Sequence, residues 1–264
     1  MNILDKIISR KKEELTLAKQ HMSIDDLRRL PLFDRSCYNL KEFVLDPNRT
    51  GIIAEYKRAS PSKGIINELA TVEEVTRGYA EAGASAISVL TDHDFFKGSL
   101  QDLKRAREAV NVPLLRKDFV IDEYQIAEAK AYGADIILLI AAVLNSQEVE
   151  SLAQYAKQLG LNVLLEVHNE SELEANSFAS VDAIGVNNRN LKDFTVSIDH
   201  SLALVNRIPA SFIKVSESGI SDPLIIKQLK EEGFQAFLIG ENFMKTNDPA
   251  ASIGQFVKEL SNLS

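Results

Sequence analysis

Lysines and carboxylates set at the ends of apolar runs are the residues of this chain best suited to chemistry. Glu55 and Lys57 close one run, Lys117 closes Leu114-Leu115-Arg116-Lys117, and Glu166 lies inside Val163-Leu164-Leu165-Glu166-Val167. A carboxylate embedded in an apolar strand needs a partner or a raised pKa. Either condition suits a general base, provided that a lysine lies opposite to balance it. Glu55 and Lys57 are two apart, so on a strand they point to one side. Other runs end in Thr91-Asp92, Asp118, Asn187-Asn188-Arg189, Ser216-Glu217-Ser218-Gly219 and Gly240-Glu241. The last two carry glycine turns, which let the main chain come close to a phosphate. Lys57, Lys63, Arg116, Lys117 and Arg189 would then draw an anion to a chain whose net charge is −8. The chemistry expected is acid–base work on a phosphorylated, anionic small molecule. Two further residues read differently. Lys214, mid-run in Phe212-Ile213-Lys214-Val215, is expected to be a core lysine paired with a carboxylate, and His168 to support Glu166 by a hydrogen bond rather than to bind metal.

Eight short apolar runs must position these groups, beginning near Gly51, Ala86, Val112, Asp135, Asn162, Ala183, Phe212 and Ala236. They are rich in Ile, Val and Leu without alternation, as parallel strands buried on both faces are. Helix-like stretches between them stop at Gly83, Gly133, Gly160 and Gly233, where glycine ends a helix in the left-handed conformation. Eight strand–helix cycles predict an α/β chain folded as a single (β/α)8 TIM barrel, with active-site residues at the carboxyl ends of its strands. An open, doubly wound sheet is the alternative. Residues 1–48 stand outside the cycle and read as a packed N-terminal helical extension of one domain spanning 1–264. Ile3, Leu4, Ile7, Ile8 and Leu15 form its apolar stripe, and a second short helix starts at Ser23 with Asp26 as capping-box partner and ends before Pro31. Ile253, Phe256, Val257, Leu260 and Leu263 mark a closing amphipathic helix.

Composition removes several classes of function. At 264 residues, 45% hydrophobic and 26% charged, the chain can bury a sizeable core. The acidic balance argues against nucleic acid as a partner, and no apolar stretch is long enough to span a membrane. A charged start and one cysteine, Cys37, lead to the expectation of a cytoplasmic protein without disulfides. His21, His93, His168 and His200 are scattered, and HExxH, GxSxG, GxGxxG and the Walker pattern are absent. No metal is expected.

Longer motifs go further. Ile52–Gly64 (IIAEYKRASPSKG), Leu114–Phe119 (LLRKDF), Leu164–Val167 (LLEV), Gly185–Leu191 (GVNNRNL), Val215–Ile220 (VSESGI) and Leu238–Met244 (LIGENFM) together resemble the indole-3-glycerol-phosphate synthase family along essentially the whole chain. The resemblance implies ring closure, decarboxylation and dehydration of 1-(2-carboxyphenylamino)-1-deoxyribulose 5-phosphate in tryptophan biosynthesis, without a cofactor, by a monomer or weak homo-oligomer. It implies Lys117 as general acid and Glu166 as general base, assisted by Lys57, Glu55, Asn187 and Glu217. Ser60, Pro61, Ser62, Phe96, Phe119, Leu138 and Arg189 would bind substrate, while Lys57, Ser218, Gly219, Gly240 and Glu241 would hold its phosphate, Glu241 through its backbone amide. Two other readings compete: a Schiff-base aldolase using a rim lysine, and a non-enzymatic barrel that docks a partner through its N-terminal helix. A related isomerase design needs a catalytic cysteine, and Cys37 precedes the first strand.

Overall fold

The computed structural model describes residues 3–190 and 195–263; Met1, Asn2, Leu191 and Ser264, which belong to segments named above, lie outside them. Eight parallel strands form the barrel: β1 (Ile52–Tyr56), β2 (Ala86–Leu90), β3 (Leu114–Lys117), β4 (Ile136–Ile140), β5 (Asn162–Val167), β6 (Ala183–Asn187), β7 (Ile213–Glu217) and β8 (Ala236–Ile239). Each begins within two residues of the start read from the sequence. β1 pairs with both β2 and β8, so the sheet closes and the open doubly wound alternative falls.

Strand parity sorts the side chains. Ile53, Ala86, Leu115, Ile136, Leu138, Leu164, Ala183, Ile213, Val215 and Ala236 point inward and fill the barrel as one cluster, while their neighbours in sequence face the surrounding helices. The same parity carries Glu55, Lys117, Glu166, Asn187 and Glu217 inward as the next layer toward the carboxyl ends of the strands. At the opposite end Leu40 and Val44, on a short helix α3 (Leu40–Leu45) that the sequence did not reveal, join the inward cluster and stopper it. A two-stranded hairpin, Ala59–Ser60 with Gly64–Ile65, follows β1 and was also unforeseen. The four helix-ending glycines have φ between 75° and 103°, as expected.

Helix α1 (Ile3–His21) and α2 (Ile24–Arg28) precede the barrel, and Ser23 and Asp26 cap α2 reciprocally. Leu27 and Phe33 pack with Tyr124, Ala127 and Ala131 of α4 (Glu123–Ala131), and the Tyr124 hydroxyl donates to the carbonyls of Ala18 (3.2 Å) and Met22 (3.0 Å). Lys11 is the electrostatic anchor. The residue is 5% exposed, and its ammonium lies 2.8 Å from Asp92 and 3.0 Å from Asp118, the acidic residues that follow β2 and β3. Asp118 also accepts from Thr91 and Arg116.

Burial opposes the charge on Asp118, but Arg116 and Lys11 outweigh it and lower its pKa from 3.8 to about 2. A depressed carboxylate contributes stability that is complete above its unfolded pKa and is lost as pH falls through the folded value. This predicts that Asp118 contributes roughly 2 kcal/mol, lost between about pH 4 and pH 2. Chemical denaturation across that window should show a shallower pH dependence for Asp118→Asn than for the unmodified chain.

Candidate active site

The inward layer above the aliphatic core is ionic. Lys117 on β3 donates to Glu166 Oε2 on β5 at 3.2 Å and to Glu217 Oε2 on β7 at 3.0 Å. Asn187 on β6 donates to the other Glu166 oxygen at 3.0 Å, and Lys57 lies 2.8 Å from Glu55 beside β1. Two glycines make room for this layer. A Cβ on Gly185 would overlap the Glu217 carboxylate, and one on Gly240 would overlap Glu55, so neither position tolerates even alanine without moving a carboxylate.

Burial works against the Lys117 ammonium, but Glu217, Glu166 and Glu55 outweigh it and hold its pKa well above the ordinary lysine value. Contact with two carboxylates favours the proton-bearing ammonium over the free amine that Schiff-base chemistry requires. Burial also opposes ionisation of Glu166, yet Lys117, His168 and Asn187 lower its pKa below the usual carboxylate value. Glu217 goes the other way: burial, reinforced by repulsion from Glu166 and Glu55, pushes it up to about 7 despite Lys117. Two carboxylates on one ammonium thus divide into one held in the ionised form and one that holds its proton more firmly.

These residues line one cleft whose apolar wall is Phe96, Phe119, Leu138, Ile140, Leu90 and Leu238. Phe96 and Phe119 have ring centroids 6.2 Å apart. Ser60, Pro61 and Ser62 border the same cleft, as does Arg189. A second cleft continues from it, bounded by Ser218, Gly219, Gly240 and Glu241 on the loop side and by Lys57, Lys63, Arg189 and Lys245 as cations. Its wall bends sharply: Ser218 and Gly219 take φ of 70° and 78° in succession. For serine this is a sparsely populated conformation that costs on the order of 1 kcal/mol, and such conformations cluster at binding sites. Buried Asn188 holds it, donating to the Ser218 carbonyl at 3.1 Å, while Ser218 Oγ donates to Asn187 at 2.9 Å.

Every residue singled out for catalysis, substrate or phosphate thus borders one of the two joined clefts. Three other expectations change. Arg116 shares the outward parity of Leu114 and is buried among Asp118, Glu128 and the Gln125 carbonyl, so it offers no charge at the mouth. Lys214 likewise faces outward and donates to the Val205 carbonyl at 2.7 Å instead of pairing with a carboxylate. Thr91, Asp92 and Asp118, read as rim groups, are engaged with Lys11 or Arg116, Asp118 still bordering the cleft. The sequence reading missed Ile3, Leu4 and Ile7, which line the first cleft from α1; their signal, an apolar stripe, was read only as packing. It also missed the Glu241 side chain, whose carboxylate is 3.4 Å from Lys63 and 4.0 Å from Arg189. Among the described residues no cluster of histidine, cysteine and carboxylate is arranged to hold a metal, and no helix is long and apolar enough to cross a membrane.

A sequence model described as indole-3-glycerol phosphate synthase matches residues 4–256. The chain belongs to the indole-3-glycerol phosphate synthase family. Relatives bearing that name include one from Bacteroides thetaiotaomicron, 47% identical over 98% of this chain and 99% of its own, and one from Polaromonas sp. strain JS666, 42% identical over 96% and 97%. Among solved structures, 3-hexulose-6-phosphate synthase from Salmonella typhimurium superposes with a TM-score of 0.62 at 15% identity, covering 81% of this chain and 99% of that one. The tryptophan synthase complex from Pyrococcus furiosus gives 0.59 at 15% identity, with the same coverages. Those two likenesses concern the barrel fold. In this member of the family the contact of Gly185 with Glu217 yields a test: Gly185→Ala should leave a folded barrel by circular dichroism while lowering kcat on the order of 10²-fold, through displacement of Glu217 and Lys117.

Proposed function

We propose that Lys117 is the general acid and Glu166 the general base of the carboxy-lyase reaction that family membership gives this chain. That reaction converts 1-(2-carboxyphenylamino)-1-deoxyribulose 5-phosphate to indole-3-glycerol phosphate in tryptophan biosynthesis. The observation that carries the assignment is the shared ammonium of Lys117, 3.2 Å from Glu166 and 3.0 Å from Glu217, at the junction of an apolar cleft and a cationic one.

The substrate's ends sort themselves by polarity. Its aromatic ring belongs between Phe96, Phe119 and Leu138, and its phosphate beside the Ser218-Gly219 and Gly240-Glu241 turns within reach of Lys57 and Arg189. Ring closure joins the carboxylate-bearing aromatic carbon to the ketone carbon, and the ketone oxygen takes up the Lys117 proton as negative charge grows on it. Carbon dioxide then departs, leaving its bonding electrons to restore the aromatic ring. Dehydration removes one more proton and one hydroxyl. Glu166, already ionised, accepts the proton, and Lys57 or re-protonated Lys117 supplies the proton with which the hydroxyl leaves as water. Asn187 fixes the oxygen of Glu166 that Lys117 does not hold, and Glu55 and Glu217 keep the two lysines charged and in place. The Schiff-base alternative fits poorly with an ammonium clamped by two carboxylates.

The chain has no tryptophan. Indole emission that grows with time when the anilino-ribulose phosphate is added therefore reports product directly. Lys117→Ala should lower kcat by 10²-fold or more, on the order expected for loss of a general acid, with KM changed far less. Near-normal turnover by folded Lys117→Ala would falsify the assignment. Glu241 sets a second measurement. Its carboxylate competes with a phosphate for Lys63 and Arg189, so Glu241→Gln should lower KM, by at most about fivefold because these groups are partly exposed.

A further inference from the structure

His168 and Glu172 take part in no step described so far, yet they sit directly behind the proposed base. His168 follows β5, with its imidazole largely buried. Its Nε2 lies 3.3 Å from Glu166 Oε1 and its Nδ1 3.4 Å from Glu172 Oε2. Neither ring nitrogen forms a well-aligned hydrogen bond, and both are shielded from solvent. Glu172, on α5 (Glu170–Ala175), is itself fixed: it accepts from the His168 main-chain N–H at 2.8 Å and from Asn169 Nδ2 at 2.7 Å, and its own N–H is capped by Asn169 Oδ1 at 3.0 Å.

A neutral imidazole carries one N–H and one lone pair. With a carboxylate oxygen facing each nitrogen, either tautomer would set a lone pair against a negative oxygen in a dry site. Only the imidazolium presents an N–H to both.

We propose that His168, held by Glu172, stands as an imidazolium behind Glu166 and is a positioning residue that keeps this base ionised and aimed into the cleft. The inference rests on Glu166 being the base. The charged and polar groups facing Glu166 are Lys117 from β3, Asn187 from β6 and His168 from its own strand end, with Glu217 of β7 beyond Lys117. Those facing His168 are Glu166 and Glu172, with Glu217 farther off. Burial opposes its charge, but Glu172 and Glu166 outweigh that and raise its pKa. Replacing the ring by a neutral side chain removes one of two cations from Glu166, so its proton affinity should rise.

The test is the pH profile of kcat for the full chain and for His168→Gln, Glu172→Gln and Glu166→Gln. The expected result is an acidic limb displaced upward by about one pH unit in His168→Gln and by less in Glu172→Gln, with KM little changed. A role confined to packing would lower activity equally at every pH. Nitrogen-15 spectra of the unmodified protein add a measurement that needs no variant: both His168 ring nitrogens should be protonated at pH 7. A neutral ring, or an unmoved limb in folded His168→Gln, overturns the proposal. Failure of the underlying assignment looks different, because Glu166→Gln would then keep its turnover.

Discussion

A buried ammonium survives only where anions surround it, and the Lys117 side chain has Glu166 and Glu217 at hydrogen-bond distance with Glu55 nearby. Most of the upper barrel is arranged around that one charge. Gly185 lacks a side chain so that Glu217 can reach it, and Gly240 leaves the same allowance for Glu55. Asn187 donates to Glu166 and accepts from Ser218 Oγ, which links the ionic layer to the strained turn of the cationic cleft. Removing either carboxylate would leave the ammonium partly uncompensated in a site of low polarisability, a more damaging change than losing an exposed ion pair.

Much of this was legible in the chain because strands have a period of two. Glu55 with Lys57 could be placed on an inner face from spacing, Glu166 stood out as a carboxylate inside the apolar run Val163–Val167, and the two glycine turns marked the wall of the second cleft. Parity also explains one error: Arg116 adjoins Lys117, and one position is enough to turn a side chain from the cleft to the helices. Type and neighbourhood look alike in both cases; only register separates them.

Other features carried no usable signal. Lys11 sits in a helix full of Lys and Glu, three residues before Glu14, and reads as a solvent-facing pair, whereas in the fold it is buried against Asp92 and Asp118. The stripe Ile3, Leu4 and Ile7 shows that α1 covers something apolar without saying what; the covered surface includes the cleft itself. Helix α3 and the hairpin after β1 are too short for a period to show, and tertiary contacts define them. In an acidic chain, the pairing of Lys11 and Arg116 with structural carboxylates leaves Lys57, Lys63, Arg189 and Lys245 as the positive border of the second cleft.

The stopper formed by Leu40 and Val44 has a bearing on traffic. With aliphatic layers above it filling the interior, the barrel is a blind vessel and not a conduit. Whatever enters by the mouth must leave by the mouth, so the indole product, the released gas and the eliminated water share one exit with incoming substrate. The surfaces that border the clefts there, the first turns of α1 and the Ser60–Lys63 segment, therefore meet departing molecules as well as arriving ones.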